Sequence, residues 1–534
     1  MKPRVRFAPS PTGHVHIGNI RTAIFNWLFA RHEEGQFLLR IEDTDLERST
    51  DEAKEALLEV MNWLGLDFDG EPFYQSRQAK AHLAAAEKLK ENGYAYDFAK
   101  GDSDETATLF RIPVELGGLP FTKAGEEITL ELHPDEPVVI DETGVAYALP
   151  SKKGKPFPQA GCLAGFQNLT ITNRDGNVTE VSAETLSDII SGDTRIVVLN
   201  PTSMTFTRWY VKYEDLILGT MSKPIDSIKD FVIVRSDGSP VFHLANVCDD
   251  LTQGVTHIIR GNDHVENTYR HLFLFHAIGG DVPAYAHMPM IVNEQGKPYA
   301  KRDGDAYVGD FRTKGYLAHA LFNYLSLLGW SPGDDREKMS LEELVQAFTI
   351  NRVKSAPAQM DMRKLDDLNA QYIAEMPTDA FVEYLREHLD GEDKPTWLFE
   401  ENSDQLNQVV GLMQSRTKKP EDAYSWSYFF SDELSFDEKV VRKNIQKPGI
   451  CQGLETVLQN LEALKTFDET GVEAAIHAAT DACDIKQGKL NQPIRVAVTG
   501  TNVGAGIYET LVLLGQDRTC QRLQQAIDQL CLSE

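Results

Sequence analysis

The run Arg6-Phe7-Ala8-Pro9-Ser10-Pro11-Thr12-Gly13-His14-Val15-His16-Ile17-Gly18-Asn19-Ile20-Arg21-Thr22-Ala23 passes from strand through loop to helix. Val5 and Phe7 fit a short buried strand. Pro9, Ser10, Pro11, Thr12 and Gly13 then break regular structure, because Pro lacks an amide hydrogen and Gly has no Cβ. Ile20, Ala23, Ile24, Trp27 and Leu28 recur at i, i+3, i+4, i+7 and i+8, which predicts a helix with one apolar face. A loop that opens a helix faces its free N–H groups and positive dipole end, a setting that suits phosphate. His16 is placed to donate to a phosphate oxygen, and Gly18 leaves room for a base or ribose. These few residues alone fit an ordinary helix start better than a phosphate site.

Outward from this run the texture continues as strand and helix. Phe37 to Ile41 reads as a buried strand, and Ser49-x-x-Glu52 as a capping box. The helix it opens carries Ala53, Ala56, Leu57, Val60, Met61 and Leu64, and Gly65 ends it. Alternation of this kind predicts a parallel sheet in an α/β domain. From about residue 96 to 220 the sequence turns β-rich, at Val138 to Leu149, Leu169 to Val181, Thr194 to Leu199 and Met204 to Val211. Asp175-Gly176 marks a hairpin turn there. The α/β texture resumes at Phe231 to Val234 and Val255 to Ile259. After about residue 315 the chain reads as helical, with an amphipathic stretch at Leu511 to Leu530.

At 534 residues the chain predicts two to four domains. No apolar run reaches the ~18 residues that a membrane span needs, and the N-terminus offers no signal-peptide core. The six cysteines form no C-x-C or C-x-x-C pair and read as reduced thiols in a reducing compartment. The net charge of -28 argues against indiscriminate polyanion binding. A nucleic-acid partner would have to meet local basic patches on an acidic body.

The opening run closely resembles the first signature of glutamyl-tRNA synthetases, which are class I aminoacyl-tRNA synthetases. Arg40-Ile41-Glu42-Asp43-Thr44-Asp45 and Asp230 to Gly238 resemble the same family. So do His243-Leu244-Ala245-Asn246 through Asp249-Asp250, Gly254 to His264, and Leu325 to Trp330. Leu513 to Arg518 is a less specific match. The matches keep the family order across most of the chain.

The resemblance implies a Rossmann-type α/β catalytic domain with a β-containing insertion, followed by an all-helical anticodon-binding region. It divides the chain into a first catalytic half at 1–95, an acceptor-stem insertion at 96–228 and a second catalytic half at 229–312. A helical stem-contact region at 313–375 and the anticodon-binding region at 376–534 follow. The implied reaction consumes ATP with Mg²⁺, forms glutamyl-adenylate, and transfers glutamate to the 3′ end of tRNA(Glu). Implied catalytic residues are His16, Gly18, Asn19, Lys301 and Arg302. Implied glutamate contacts are Arg6, Ala8, Ser10, Glu42, Phe242, Asn246 and Arg260. ATP is assigned to Pro9, Thr12, Gly13, His16, Gly18, Asp263, Ile291 and Lys301. Two guanidinium groups and one carboxylate complement an amino acid with two carboxylates and one ammonium.

The chain departs from the family at three places. The second signature, a Lys-rich loop, reads Lys297-Pro298-Tyr299-Ala300-Lys301-Arg302, with Pro and Ala where Lys and Ser are usual. Phe242 stands where Tyr is frequent. No cysteine follows Gly93-Tyr94-Ala95-Tyr96, where many bacterial members bind zinc, so no zinc is expected. A cytoplasmic monomer with no membrane partner is expected. The alternatives are an enzyme that also charges tRNA(Gln), a glutaminyl-tRNA synthetase, a tRNA-modifying paralogue, and a non-catalytic relic. Arg352, Lys354, Lys418 and Lys419 offer charge to tRNA phosphates, although a solvated helix face accounts for each.

Overall fold

The computed structural model describes residues 2–11, 13–44, 49–99, 105–300, 302, 304, 306–391, 394–400, 404–486 and 488–531. The chain divides into two compact units, residues 1–308 with 325–360, and residues 309–324 with 361–534.

In the first unit, β1 (Arg4–Phe7) runs parallel to β2 (Gln36–Ile41), with α1 (Ile17–His32) as the crossover. The periodic face of α1 is buried, but so are Arg21, Phe25, Asn26 and Phe29. It is a core helix packed on nearly every side, not a surface helix with one apolar stripe. α2 (Asp51–Trp63) is capped by Thr50, whose hydroxyl accepts from the Ala53 N–H at 3.2 Å. The expected cap, Ser49, is buried instead. β3 (Phe73–Tyr74) extends the parallel sheet beside β2, and α3 (Ala79–Glu91) follows.

The β-rich stretch opens with β4 (Ala95–Ala99) and β5 (Thr106–Phe110), an antiparallel pair. Next come β6 (Thr122–Glu131), β7 (Val138–Asp141), β8 (Gly144–Pro150), β9 (Pro156–Gly161), β10 (Gln167–Asn173) and β11 (Val178–Glu180). α4 (Ala183–Ile190), β12 (Ile196–Val198), the long β13 (Pro201–Asp215) and β14 (Gly219–Pro224) complete it. β13 pairs antiparallel with β6, β10 and β14, and β12-β7-β8-β9 form a second sheet. Ile140, Val145, Phe166, Ile171, Met204 and Phe206 make a core of their own between them. The turn at Asp175-Gly176 places Gly176 at φ +81°, where a Cβ would be strained.

β15 (Phe231–Val234) was expected to re-enter the parallel sheet. It pairs antiparallel with β5 instead. Phe110 and Phe231 meet across that pair at 5.2 Å between ring centroids. α5 (Phe242–Thr252), β16 (His257–Gly261), α6 (Val265–Ile278) and β17 (Ala284–Met288) restore the parallel pattern, with Arg260 on β16 opposite His287 on β17. The Thr256 N–H donates to the Arg4 carbonyl at 2.9 Å, which seats β16 beside β1. The carboxyl ends of β1, β2 and β16 therefore open on one side. β18 (Ile291–Val292) pairs with residues 358–359.

The second unit is helical. Its core holds Leu385, Trp426, Leu454, Ile494 and Leu523. The amphipathic stretch at 511–530 is not one helix, because Gly515 at φ +81° separates Ile507–Leu514 from Gln516–Leu530. Cys451 and Cys531 are joined as a disulfide with Cα atoms 5.9 Å apart, which corrects the expectation of isolated thiols. The helix that Cys451 opens and the last helix pack together, so cysteines 80 residues apart in sequence become neighbours. Lys418 is paired with Asp367, and Lys419 with Glu421 at 3.0 Å.

Candidate active site

A cavity of about 580 Å³ lies at the carboxyl ends of β1, β2 and β16. Crevices in that position are the usual ligand sites of open parallel sheets. Its wall takes Arg6, Ala8, Pro9 and Ser10 from the first loop, and His16, Gly18 and Asn19 from the start of α1. Glu42 follows β2, Phe242 and Asn246 project from α5, and Arg260, Asp263 and Ile291 complete the set. All of these were picked out in the sequence. Gly13, Lys297 and Arg302 do not line the cavity. Thr12 and Lys301 lie outside the described residues.

At the end of the cavity where α1 begins, His16 is the N-cap of α1, and its Nδ1 accepts from the Gly18 N–H at 3.1 Å. Burial holds its imidazole below the ordinary value, against a hydrogen bond to the Tyr299 backbone. A Cβ at Gly18 would meet His16 Nδ1 at 3.3 Å, so Gly18 makes room for the imidazole. The chain returns to this point. Ile17 N–H donates to Ala306 O at 2.9 Å, and Val308 N–H donates to Val15 O at 3.0 Å. Pro298 bridges back to Val292, and Pro298 and Tyr299 line the cavity. Lys297 is exposed in the hairpin turn, where Asn293 Oδ1 accepts from its backbone N–H at 3.0 Å.

At the other end the charges are buried. Arg6 Nε donates to Asp250 Oδ1 at 2.8 Å, and Arg40 Nη1 donates to the same oxygen at 2.6 Å. Burial alone would raise the Asp250 carboxyl, but Arg40 and Arg6 outweigh it and hold it below the usual carboxylate range. Glu42 Oε1 accepts from Asn246 Nδ2 at 2.9 Å and from Arg40 Nη2 at 3.4 Å. Burial pushes the Glu42 carboxyl up despite Arg40 and Arg6. Arg40 and Asp250 lay in strings quoted from the sequence, yet no spacing rule marked them as partners of Arg6.

Arg260 is different. It is 6 % exposed, and among the described residues no carboxylate stands within ion-pair distance of it. Its Nε donates to His287 Nε2 at 3.2 Å, and its Nη2 donates to Thr268 Oγ1 at 2.7 Å. Its Nη1 is buried with no partner. A buried guanidinium that lacks a counter-charge calls for an anion. The imidazoles around it are held in the neutral form. Burial brings His243 down to about 4 and lowers His264 and His271, with Arg260 adding to each. Phe242 packs on His264 and His271 at 5.7 and 5.8 Å.

The family model described as tRNA synthetases class I (E and Q), catalytic domain, matches residues 2–105 and 196–367. The chain belongs to this family of class I synthetases. An anticodon binding domain matches residues 380–527. Its relatives include a glutamate–tRNA ligase of Francisella tularensis, 33% identical over 98% of this chain and 99% of that one. Glutamate–tRNA ligase 1 of Caldanaerobacter subterraneus is 32% identical over 98% of this chain and 97% of its own length. A crystal structure of a glutamate tRNA ligase from Elizabethkingia meningosepticum, in complex with its amino acid, matches 99% of this chain and 100% of that chain. Its TM-score is 0.69 at 25% identity. The catalytic match lapses between 105 and 196, across much of the β-rich stretch.

Proposed function

We infer that this chain activates L-glutamate with ATP and joins it to the 3′ end of tRNA(Glu). The observation that carries the reading is the charge set of the cavity. Arg260 is buried and lacks a counter-ion among the described residues, and Arg6 and Glu42, which follows β2, line the same cavity. That pattern complements two carboxylates and one ammonium, and a neutral glutamine amide would leave a guanidinium unanswered.

The reaction runs in two steps. An α-carboxylate oxygen of glutamate attacks the α-phosphorus of ATP, and pyrophosphate leaves. A ribose hydroxyl of the terminal tRNA nucleotide then attacks the activated carbonyl, and AMP leaves. No side chain is acylated, so the enzyme works by positioning and by meeting phosphate charge. His16 and the first N–H groups of α1 receive the phosphates, the family's Lys-rich signature assigns Lys301 to them, and Asp263 and Ile291 border the nucleotide. Among the described residues no group of three His, Cys, Asp or Glu side chains stands ready to hold a metal. Asp263 is a carboxylate of the cavity wall beside which Mg²⁺ brought with ATP would sit, and the ion would neutralise phosphate charge.

The residues at 96–228 hold the acceptor end, those at 313–375 contact the stem, and the helical region at 376–534 reads the anticodon. The chain works as a cytoplasmic monomer. The test is charging of total bacterial tRNA with labelled glutamate and, separately, labelled glutamine. Glutamate on tRNA(Glu) alone is the expected result. Glutamate on tRNA(Gln) as well marks a non-discriminating enzyme, and charging with glutamine alone overturns the reading.

A further inference from the structure

We propose that Asp215 and His287 form a positioning pair that sets Arg260 for the substrate carboxylate. This rests on the reading that Arg260 holds glutamate. Asp215 ends β13, and His287 lies on β17 directly opposite Arg260. The Asp215 and His287 side chains are wholly buried, and His287 Nδ1 donates to Asp215 Oδ2 at 2.6 Å. With its proton committed there, His287 Nε2 carries a lone pair and accepts from Arg260 Nε at 3.2 Å. Thr268 takes Nη2, and the Tyr285 ring lies 5.4 Å from the guanidinium carbon. Tyr285 in turn stacks on His287 with 2° between the planes. The guanidinium is fixed on these sides and left bare at Nη1.

The pair also has a direction. Burial holds the His287 imidazole below its ordinary value, and Arg260 adds to this against the pull of Asp215. The neutral form is the one that serves Arg260, because a proton on Nε2 would set donor against donor. Asp215 fixes which nitrogen carries the proton, as a carboxylate behind an imidazole does in a catalytic triad. Asp215 is itself anchored, since its Oδ1 accepts from the Ile217 N–H at 3.0 Å and the Leu218 N–H at 2.8 Å.

Asp215→Asn tests the claim. Those backbone N–H groups hold the carboxamide oxygen, its NH₂ faces His287 Nδ1, and the imidazole must carry its proton on Nε2 against Arg260. In ATP–pyrophosphate exchange the KM for glutamate is expected to rise about tenfold or more. The KM for ATP and the kcat at saturating glutamate are expected to stay near wild type. His287→Gln, which keeps an acceptor near Nε2, is expected to do less harm than His287→Leu. Equal rises for glutamate and ATP, no rise at all, or a Gln variant no better than Leu would each overturn the proposal. Should Asp215→Asn fail to fold, the ¹⁵N shifts of the His287 ring in the wild-type enzyme decide, and a proton on Nε2 refutes the pair. Arg260→Ala runs alongside. If it leaves the glutamate KM unchanged, the assignment of the pocket falls, and the pair's role with it. If it raises that KM while Asp215→Asn does not, the positioning pair alone falls.

Discussion

Arg6 and Arg260 stand in one cavity wall, both almost wholly buried, yet they are kept there by opposite means. Arg6 shares Asp250 with Arg40, so its charge is met inside the protein. Arg260 rests on an imidazole, a hydroxyl and the His264 carbonyl, which hold its direction and leave its charge unmet. Arg6 therefore meets a ligand with part of its charge already answered, and Arg260 with its charge intact. A buried cation whose charge the protein neutralises cannot offer that charge again to substrate at full strength.

Breaking the Arg6 side should have the largest effect. Asp250→Ala leaves Arg6 buried without its counter-ion and Arg40 with only Glu42 at 3.4 Å, and is expected to cost about 3–5 kcal/mol of stability, read by chemical denaturation. Arg260→Leu should invert that result. Stability is expected to hold or rise, because an uncompensated charge is removed, while the KM for glutamate in pyrophosphate exchange rises by roughly 100-fold. If both variants lost stability equally, the contrast between the two sides would be gone.

Acid separates the sides more finely. His243 titrates near 4 in the fold and near 6.5 when unfolded, so between those values the unfolded chain binds more protons. Stability therefore falls as pH drops through that window, by on the order of 2 kcal/mol from this residue after allowance for its partial exposure. The contribution of Asp250 is present above the ordinary carboxylate value of 3.8 and is lost only below it, so it is silent in that window. Glu42 opposes the trend, because its raised carboxyl favours the fold as pH drops. Comparing His243→Phe with wild type in thermal melts across this range isolates the imidazole, and the variant should show the shallower slope. The smallest effect is assigned to Glu42→Gln. It keeps the acceptor for Asn246 but loses the charge that meets an ammonium, for about a tenfold rise in the glutamate KM.

Much of this architecture was legible because it is local. The run from Arg6 to Ala23 carries strand, loop and helix in sequence order, so the mouth of the cavity could be read from adjacent residues. The family order of the later strings brought Glu42, Asn246 and Arg260 to the same wall. What escaped depends on distance along the chain. Asp215 and His287 are 72 residues apart, and neither has a neighbour in sequence that marks it. Arg6 and Asp250 are separated by 244 positions, so the neutralisation of Arg6 was invisible although both residues had been quoted. The Cys451–Cys531 pairing fails for the same reason, since a spacing of 80 residues matches no local motif. Periodicity misled at α1, where neighbours bury the polar-looking positions too, and at Gly515, where the apolar pattern runs on through a break in the backbone.

The place of Asp215 at the end of β13 limits what can be exchanged between relatives. β13 is the central strand of the inserted sheet, and it is also the strand that pairs Asp215 with Tyr285 of the parallel strands. A graft that swaps the insertion as a cassette, cut at its outer limits, carries away a support of the amino-acid pocket along with the surface it was meant to exchange. The workable seams are those that leave Asp215 to Leu218 with the recipient, so the module that can be traded is smaller than the module the sequence outlines.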